Sequence, residues 1–324
     1  MLESNFEQAD GYGEDGYTRK AVELLKQTIG RNDIDIHLLS GGTQTNLIAI
    51  SAFLRPHEAV IAANTGHILV HETGAVEATG HKIISLEVSQ GKLNESHIKA
   101  ALEAHPDEHM VKPKLVYISN PTEIGTIYHK DELEQLSMFC RENDLFLYMD
   151  GARLGSALCA DTNLQLSDLA TLVDAFYIGG TKNGALLGEA LVICREELKQ
   201  DFRFHMKQKG ALLAKGRLLG IQFVELFRDN LYFDLAMHAN KMADMLRNAI
   251  SKAGFSFLVD SPSNQLFPIL PKQLISELEK NYSFYIWSEV DTENSAIRLV
   301  TSWATNEVTV LGFIEEMKNA LRKK

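Results

Sequence analysis

The sequence predicts an α/β protein: a large domain built on a mostly parallel sheet, followed by a smaller C-terminal α+β domain. Three observations carry that prediction. From about residue 20 to residue 195, short apolar runs of strand length alternate with segments of helix length. That alternation is the pattern of a parallel sheet covered by helices on both faces. From Phe255 onward it gives way to closely spaced short strands and two helices. The expected organisation is an arm over residues 1–20, a large domain with a linking helix over 21–252, and a small domain over 253–324.

Each element follows in order. The arm is polar and Gly-rich around Gly11, Gly13 and Gly16. Thr18 is expected to cap a helix ending near Ile29. Ile34 to Leu39 reads as a strand that ends in Ser40-Gly-Gly-Thr43 and opens a helix through Leu54. Ala59 to Ala62 is a buried strand, and a helix is expected over Ile68 to Ala78. Lys82 to Leu86 is a strand and Glu95 to Ala104 a helix. Leu115 to Ser119 is a strand ending at Asn120-Pro121. Asp131 is expected to cap a helix to Asn143. Leu145 to Met149 ends in Asp150-Gly151, and residues 175–178 end in Gly179-Gly180-Thr181-Lys182. Glu189 to Cys194 is a further strand. Residues 200–252 read as helical, with a long segment from Gly216. The small domain has strands at 256–259, 265–270, 284–287 and 296–301, with helices near 271–280 and 306–322.

Composition bounds the function. The 324 residues are 45% hydrophobic and 23% charged, an ordinary globular balance. Lys plus Arg is 32 and Asp plus Glu is 43, for a net charge of -11. That argues against nucleic acid or an anionic membrane as the main partner. The three cysteines, Cys140, Cys159 and Cys194, form no CxxC pair, so no structural metal is expected and a reducing cytoplasm is the expected compartment. No apolar run reaches membrane-spanning length.

Ligands of such sheets bind outside the carboxyl ends of the strands. Gly42, Thr43, His67, Asn120, Asp150, Arg153 and Lys182 all fall at or just beyond those ends. Lys182 is placed for an amine that reaches into a crevice and forms a Schiff base. Asp150 suits a pyridinium nitrogen, whose protonation makes pyridoxal phosphate an electron sink. The Ser40–Thr43 turn can hold a phosphate on backbone N–H groups at a helix start, with the Thr181 hydroxyl beside Lys182 as a second donor. His67 can stack on a cofactor ring. Arg153, and Arg298 within an apolar strand, can each clamp a carboxylate.

Taken together the motifs resemble the threonine aldolase/β-eliminating lyase family of fold-type I pyridoxal-phosphate enzymes. The matching pieces are Tyr12-Gly-Glu-Asp15, Ser40-Gly-Gly-Thr43 with Asn46, and Gly66-His-Ile68 with Glu72, Gly74 and Ala75. Met149-Asp-Gly-Ala-Arg-Leu154, Thr181-Lys182 and Arg298-Leu-Val-Thr301 complete the set. The resemblance implies Lys182 as the Schiff-base lysine, Asp150 at the pyridine nitrogen and His67 on the ring. It implies Gly42, Thr43 and Thr181 on the phosphate, with Asn120 beside the cofactor. Arg153 and Arg298 would bind the substrate carboxylate. His67, His71 or a water on Glu72 would take the β-hydroxyl proton. Tyr12 would reach a neighbouring subunit's site in a homodimer or homotetramer. The implied reaction is cleavage of a β-hydroxy amino acid to glycine and an aldehyde. The alternatives are β-elimination on the same cofactor, or a scaffold that binds without turnover.

Four positions depart from the family pattern. The loop Ser119-Asn-Pro-Thr-Glu123 has no histidine where the family usually carries one. His71 stands where Tyr or Phe is common. The arm that precedes Tyr-Gly-Glu-Asp in the family is short here, so the N-terminus is expected to be incomplete. Lys215 or Arg217 replaces the family's phosphate-binding arginine.

Overall fold

The computed structural model describes residue 1, residues 3–160 and residues 163–322. Its large sheet contains β1 (Asp35–Leu39), β2 (Glu58–Ala63), β3 (Ile83–Leu86), β4 (Lys112–Ser119), β5 (Phe146–Asp150), β6 (Ala175–Gly179) and β7 (Glu189–Ile193). Their order is β1-β7-β6-β5-β4-β2-β3. Neighbours pair in parallel except at β7, which runs antiparallel to both β1 and β6. Side chains alternate across this sheet. Val116, Ile118, Leu147, Met149, Phe176 and Ile178 join one apolar cluster, with Leu25 and Leu133 from covering helices. Leu115, Tyr117, Tyr148 and Tyr177 face the other, with Ile48, Ile50 and Phe53 of the helix Gly42–Phe53.

The small domain has a third cluster. Its sheet holds β8 (Gln265–Leu266), β9 (Ile269–Pro271), β10 (Tyr285–Glu289) and β11 (Asn294–Val300), all paired antiparallel. The helix Leu231–Lys252 serves both domains. Its Tyr232 lies in the large-domain core, and its Met242, Leu246 and Ile250 lie in the small-domain core.

Several local expectations are corrected. Asp15, not Thr18, caps the first helix, Gly16–Ile29; its carboxylate accepts from the Thr18 N–H and hydroxyl, each at 2.8 Å. The helix expected over 68–78 is one turn, His67–Val70, followed by a 3-10 turn at Glu77–Thr79. Left-handed backbone at Thr73 and Gly74 interrupts it. His129, not Asp131, caps the helix Lys130–Glu142, with Glu132 accepting from the His129 N–H at 2.8 Å. The helical stretch 200–252 is three helices, broken near Gly210 and at Asn230, both with positive φ. The strand expected over 265–270 splits at Phe267 and Pro268, where proline offers no N–H to the ladder. Residues 256–259 contribute only the bridge Phe257–Pro268.

Candidate active site

Asp150 ends β5, and strand register decides what surrounds it. Tyr148, two residues earlier, shares its face. Tyr117 pairs with Tyr148, and Met149 with Phe176, which brings Tyr177 beside Asp150. Asp150 Oδ2 accepts from Asn46 Nδ2 at 3.0 Å and Tyr117 Oη at 2.7 Å. Oδ1 accepts from Tyr177 Oη at 2.5 Å and the Ala152 N–H at 3.0 Å. Burial pushes this carboxyl toward its neutral form. The donors Tyr177, Asn46 and Tyr117 outweigh burial and hold it below the usual carboxylate range. Burial, and then the Asp150 charge, pushes Tyr117, Tyr148 and Tyr177 well upward, so they stay protonated and keep donating. The Asp-Gly sequence has a packing reason too, since a Cβ on Gly151 would lie 1.8 Å from the Tyr177 carbonyl oxygen.

A second carboxylate joins this cradle. Asn46 also donates to Glu72 Oε1, at 2.8 Å, while Tyr148 donates to Asn46 Oδ1 at 2.9 Å. Glu72 Oε1 pairs with His67 Nδ1 at 2.8 Å. That bond holds the His67 imidazole above its usual range against desolvation. Glu72 Oε2 is buried without a partner among the described residues. His71 stands next to His67, ring centroids 5.4 Å apart. Desolvation, then the His67 charge, lowers its proton affinity.

Lys182 sits on the tight connection between β6 and β7. Gly180 N–H donates to the Gly188 carbonyl at 3.0 Å and to Glu189 Oε2 at 2.9 Å. Thr181 Oγ1 accepts from the Gly188 N–H at 3.0 Å. Lys182 is open to solvent in the crevice, yet protein crowds its amine. Desolvation, then the Arg153 charge, holds its ammonium below the usual lysine range. Beneath the turn, burial raises Glu189 to about 7.

Two arginines face the same crevice. The Arg153 guanidinium has no hydrogen-bond or ion-pair partner among the described residues. Burial, then the Arg298 charge, lowers it to about 10. Arg298 donates from Nη2 to Gln265 Oε1 at 2.5 Å and lies over the Trp287 ring, while its Nε is buried and unpartnered. Paired guanidinium groups with unfilled donors form a receptor for a planar anion such as a carboxylate. A second anion position is the start of the helix Gly42–Phe53. Gly41 offers no side-chain cap, so the first N–H groups of that helix, at Gly42 and Thr43, are free to bind an anion.

Other residues singled out from the sequence are engaged elsewhere. Asn120 is buried, and both ends of its amide bond the Tyr128 backbone, at 3.1 and 3.4 Å. It shapes the loop after β4. Tyr12 is held by Leu213 and Arg203 and lies under Lys207. Lys215 donates to Asn5 Oδ1 at 2.7 Å. Sequence reading missed the three tyrosines, Glu123 and Glu189. The tyrosines carried a signal: each lies two residues before the end of a strand on one sheet face. Glu189 carried none, because the sequence does not give the direction of β7.

The donor set fits pyridoxal phosphate. An ionised, buried Asp150 suits a cationic ring nitrogen, a crowded amine stands nearby, and uncapped N–H groups suit a phosphate.

A family model described as "Beta-eliminating lyase" matches residues 1–270. A low specificity L-threonine aldolase of Pseudomonas aeruginosa is 31% identical, over 94% of this chain and 88% of its own. A Pseudomonas sp. enzyme of the same description is 30% identical, over 96% and 90%. A threonine aldolase structure from Leishmania major is 50% identical, with TM-score 0.97 over 98% of this chain and 94% of that one. A histidinol-phosphate aminotransferase from Clostridium acetobutylicum, 14% identical with TM-score 0.76 over 100% of this chain and 93% of its own, shares the fold alone. Motifs, sheet order and relatives agree that this chain belongs to the beta-eliminating lyase family and has the fold-type I architecture.

Proposed function

We propose that this protein is a pyridoxal-phosphate-dependent aldehyde-lyase that cleaves L-threonine and L-allo-threonine-like β-hydroxy amino acids to glycine and an aldehyde. The observation that carries this reading is the convergence of the Lys182 amine, the Asp150 carboxylate and the unfilled Arg153–Arg298 pair on one crevice. The threonine aldolases at 31% and 50% identity support it.

Lys182 is the group that bonds the cofactor. Asp150 pairs with its ring nitrogen, kept ionised by Tyr177, Asn46 and Tyr117. Gly42 and Thr43 hold the phosphate with their N–H groups. Thr181 mainly closes the lysine turn, with its hydroxyl bonded to Gly188. His67, fixed by Glu72, covers the ring face. When bound, pyridoxal phosphate supplies an electron sink for the pair released at Cα. Arg153 and Arg298 grip the substrate carboxylate and thereby set which bond at Cα is aligned for cleavage. Of the groups offered for the β-hydroxyl proton, Glu72 is sealed on both oxygens. His67 Nδ1 is committed to Glu72, and His71 stays open at the crevice mouth.

We also assign the working form to a homodimer or homotetramer with shared sites. Exposed Phe6, Tyr12, Leu186 and Phe204 support that assignment, and Tyr12 is the residue to serve the neighbour. The unpaired cysteines Cys140, Cys159 and Cys194 suit the cytoplasm.

Purified protein loaded with pyridoxal phosphate should release glycine and acetaldehyde from L-threonine. Release of ammonia and a keto acid instead, across a panel of β-substituted amino acids, would replace this reading with β-elimination.

A further inference from the structure

Two carboxyl groups are tied to His67, and they differ in what they leave free. Glu72 bonds its imidazole, and its remaining oxygen is sealed. Glu123 bonds its backbone. Glu123 Oε1 accepts from the His67 N–H at 2.9 Å and from the Ser119 hydroxyl at 2.6 Å. No other described residue bonds Glu123 Oε2, and the residue is only partly buried. One oxygen therefore anchors the carboxyl and leaves the other available to a ligand. The charge of Glu123 is felt by both Arg153 and Arg298.

We propose that Glu123 binds the β-hydroxyl of the substrate through Oε2 and takes its proton as the Cα–Cβ bond breaks, a role that rests on the cleavage reaction proposed above. The O–H pair becomes the second bond of the aldehyde carbonyl. The Cα–Cβ pair stays with the glycine carbon, with pyridoxal phosphate as electron sink, until that carbon takes a proton. Glu123 then gives its proton to solvent, so one proton leaves the hydroxyl and one arrives at Cα. The hydrogen bonds to the His67 N–H and the Ser119 hydroxyl fix the carboxyl, which a general base needs more than basicity alone.

Basicity is supplied as well. Burial raises Glu123 above the usual carboxyl range, against the pull of the Ser119 hydroxyl. Asp150 and Tyr117 face it from the sheet, Tyr128 from its own loop, His67 from beyond β2, and Arg153 and Arg298 from across the crevice. Cleavage should therefore rise with pH through that raised value.

The test uses Glu123→Gln holoenzyme and two reactions. One is L-threonine cleavage. The other is exchange of the glycine α-proton in heavy water, which uses the same cofactor and lysine but has no β-hydroxyl. Cleavage should fall by roughly 10²–10³-fold and lose its acidic limb, while exchange falls far less. Formate added to Glu123→Ala should restore part of the lost cleavage. Cleavage retained at a third of wild type or more overturns the role. So does an equal loss of cleavage and exchange, or the absence of formate rescue. Wild-type enzyme that exchanges glycine but forms none from L-threonine would instead overturn the proposed function, and this role with it.

Discussion

The Asp150 cradle and the Arg153–Arg298 pair face one crevice and are built in opposite ways. Asp150 accepts four hydrogen bonds, three of them from side chains that are themselves buried. The Arg153 guanidinium donates to nothing among the described residues, and Arg298 keeps an unpartnered Nε. A buried charge with all its partners is finished before any ligand arrives. A half-buried cation without partners carries a desolvation cost that only an anion can offset. The cradle is thus fixed machinery for a resident group, and the arginine pair is a receptor for something that comes and goes.

Four substitutions test this contrast, taken from the largest expected effect to the smallest. Lys182→Ala should abolish the visible absorbance of the cofactor-loaded protein and lower turnover by more than about 10³-fold. An unchanged spectrum with full turnover would refute the lysine assignment. Asp150→Asn keeps shape and removes charge, and kcat should fall by roughly 10²–10³-fold. Arg153→Leu should raise KM for L-threonine by roughly 10–100-fold with a smaller change in kcat. Because it strips no partner from another group, its melting temperature should hold or rise. A clear drop there would mean that Arg153 is structural and the contrast false.

Tyr177→Phe touches the cradle most lightly, with a stability cost of about 1–3 kcal/mol. Its pH dependence is the sharper readout. Asp150 has a depressed folded value, so its contribution is present above the unfolded value and disappears as pH falls through the folded one. Losing the Tyr177 donor raises the folded value. The variant should therefore begin acid unfolding at higher pH than wild type, as followed by circular dichroism.

Much of this was legible in the sequence because the large domain is regular. Strand-end positions follow from apolar runs, so Asp150 and Lys182 could be placed at a crevice without coordinates. The direction of β7 was not legible: the run Glu189 to Cys194 reads identically whichever way it enters the sheet. Reversal brings its first residue, Glu189, to the carboxyl ends of its neighbours. The Tyr128 partners of Asn120 were not legible either, since a strand-end polar residue can serve the ligand or its own loop. The helix over 68–78 failed at Thr73 and Gly74, where a left-handed backbone overrides a helical pattern. In the sequence Glu123 is simply the last residue of a loop lacking histidine. Its contact with His67 joins residues far apart in sequence, which local patterning does not reveal.

The reversed strand has one more consequence, in the language of alignment errors. Gly179 pairs with Glu189, so the lysine rides on a hairpin whose two ends meet in one ladder. A residue inserted within 180–188 would disturb the lysine and the turn's own anchors, the bonds from Asn183 to the Tyr232 carbonyl and from the Leu186 N–H to Gln222. A one-residue slip of β7 would instead turn every side chain to the opposite face, sending Glu189 into the wrong apolar cluster and offering Ala190 to the crevice. Five residue pairs with β1 on one side and five with β6 on the other guard against that slip. The strand that follows the reactive lysine is thus locked in register from both sides.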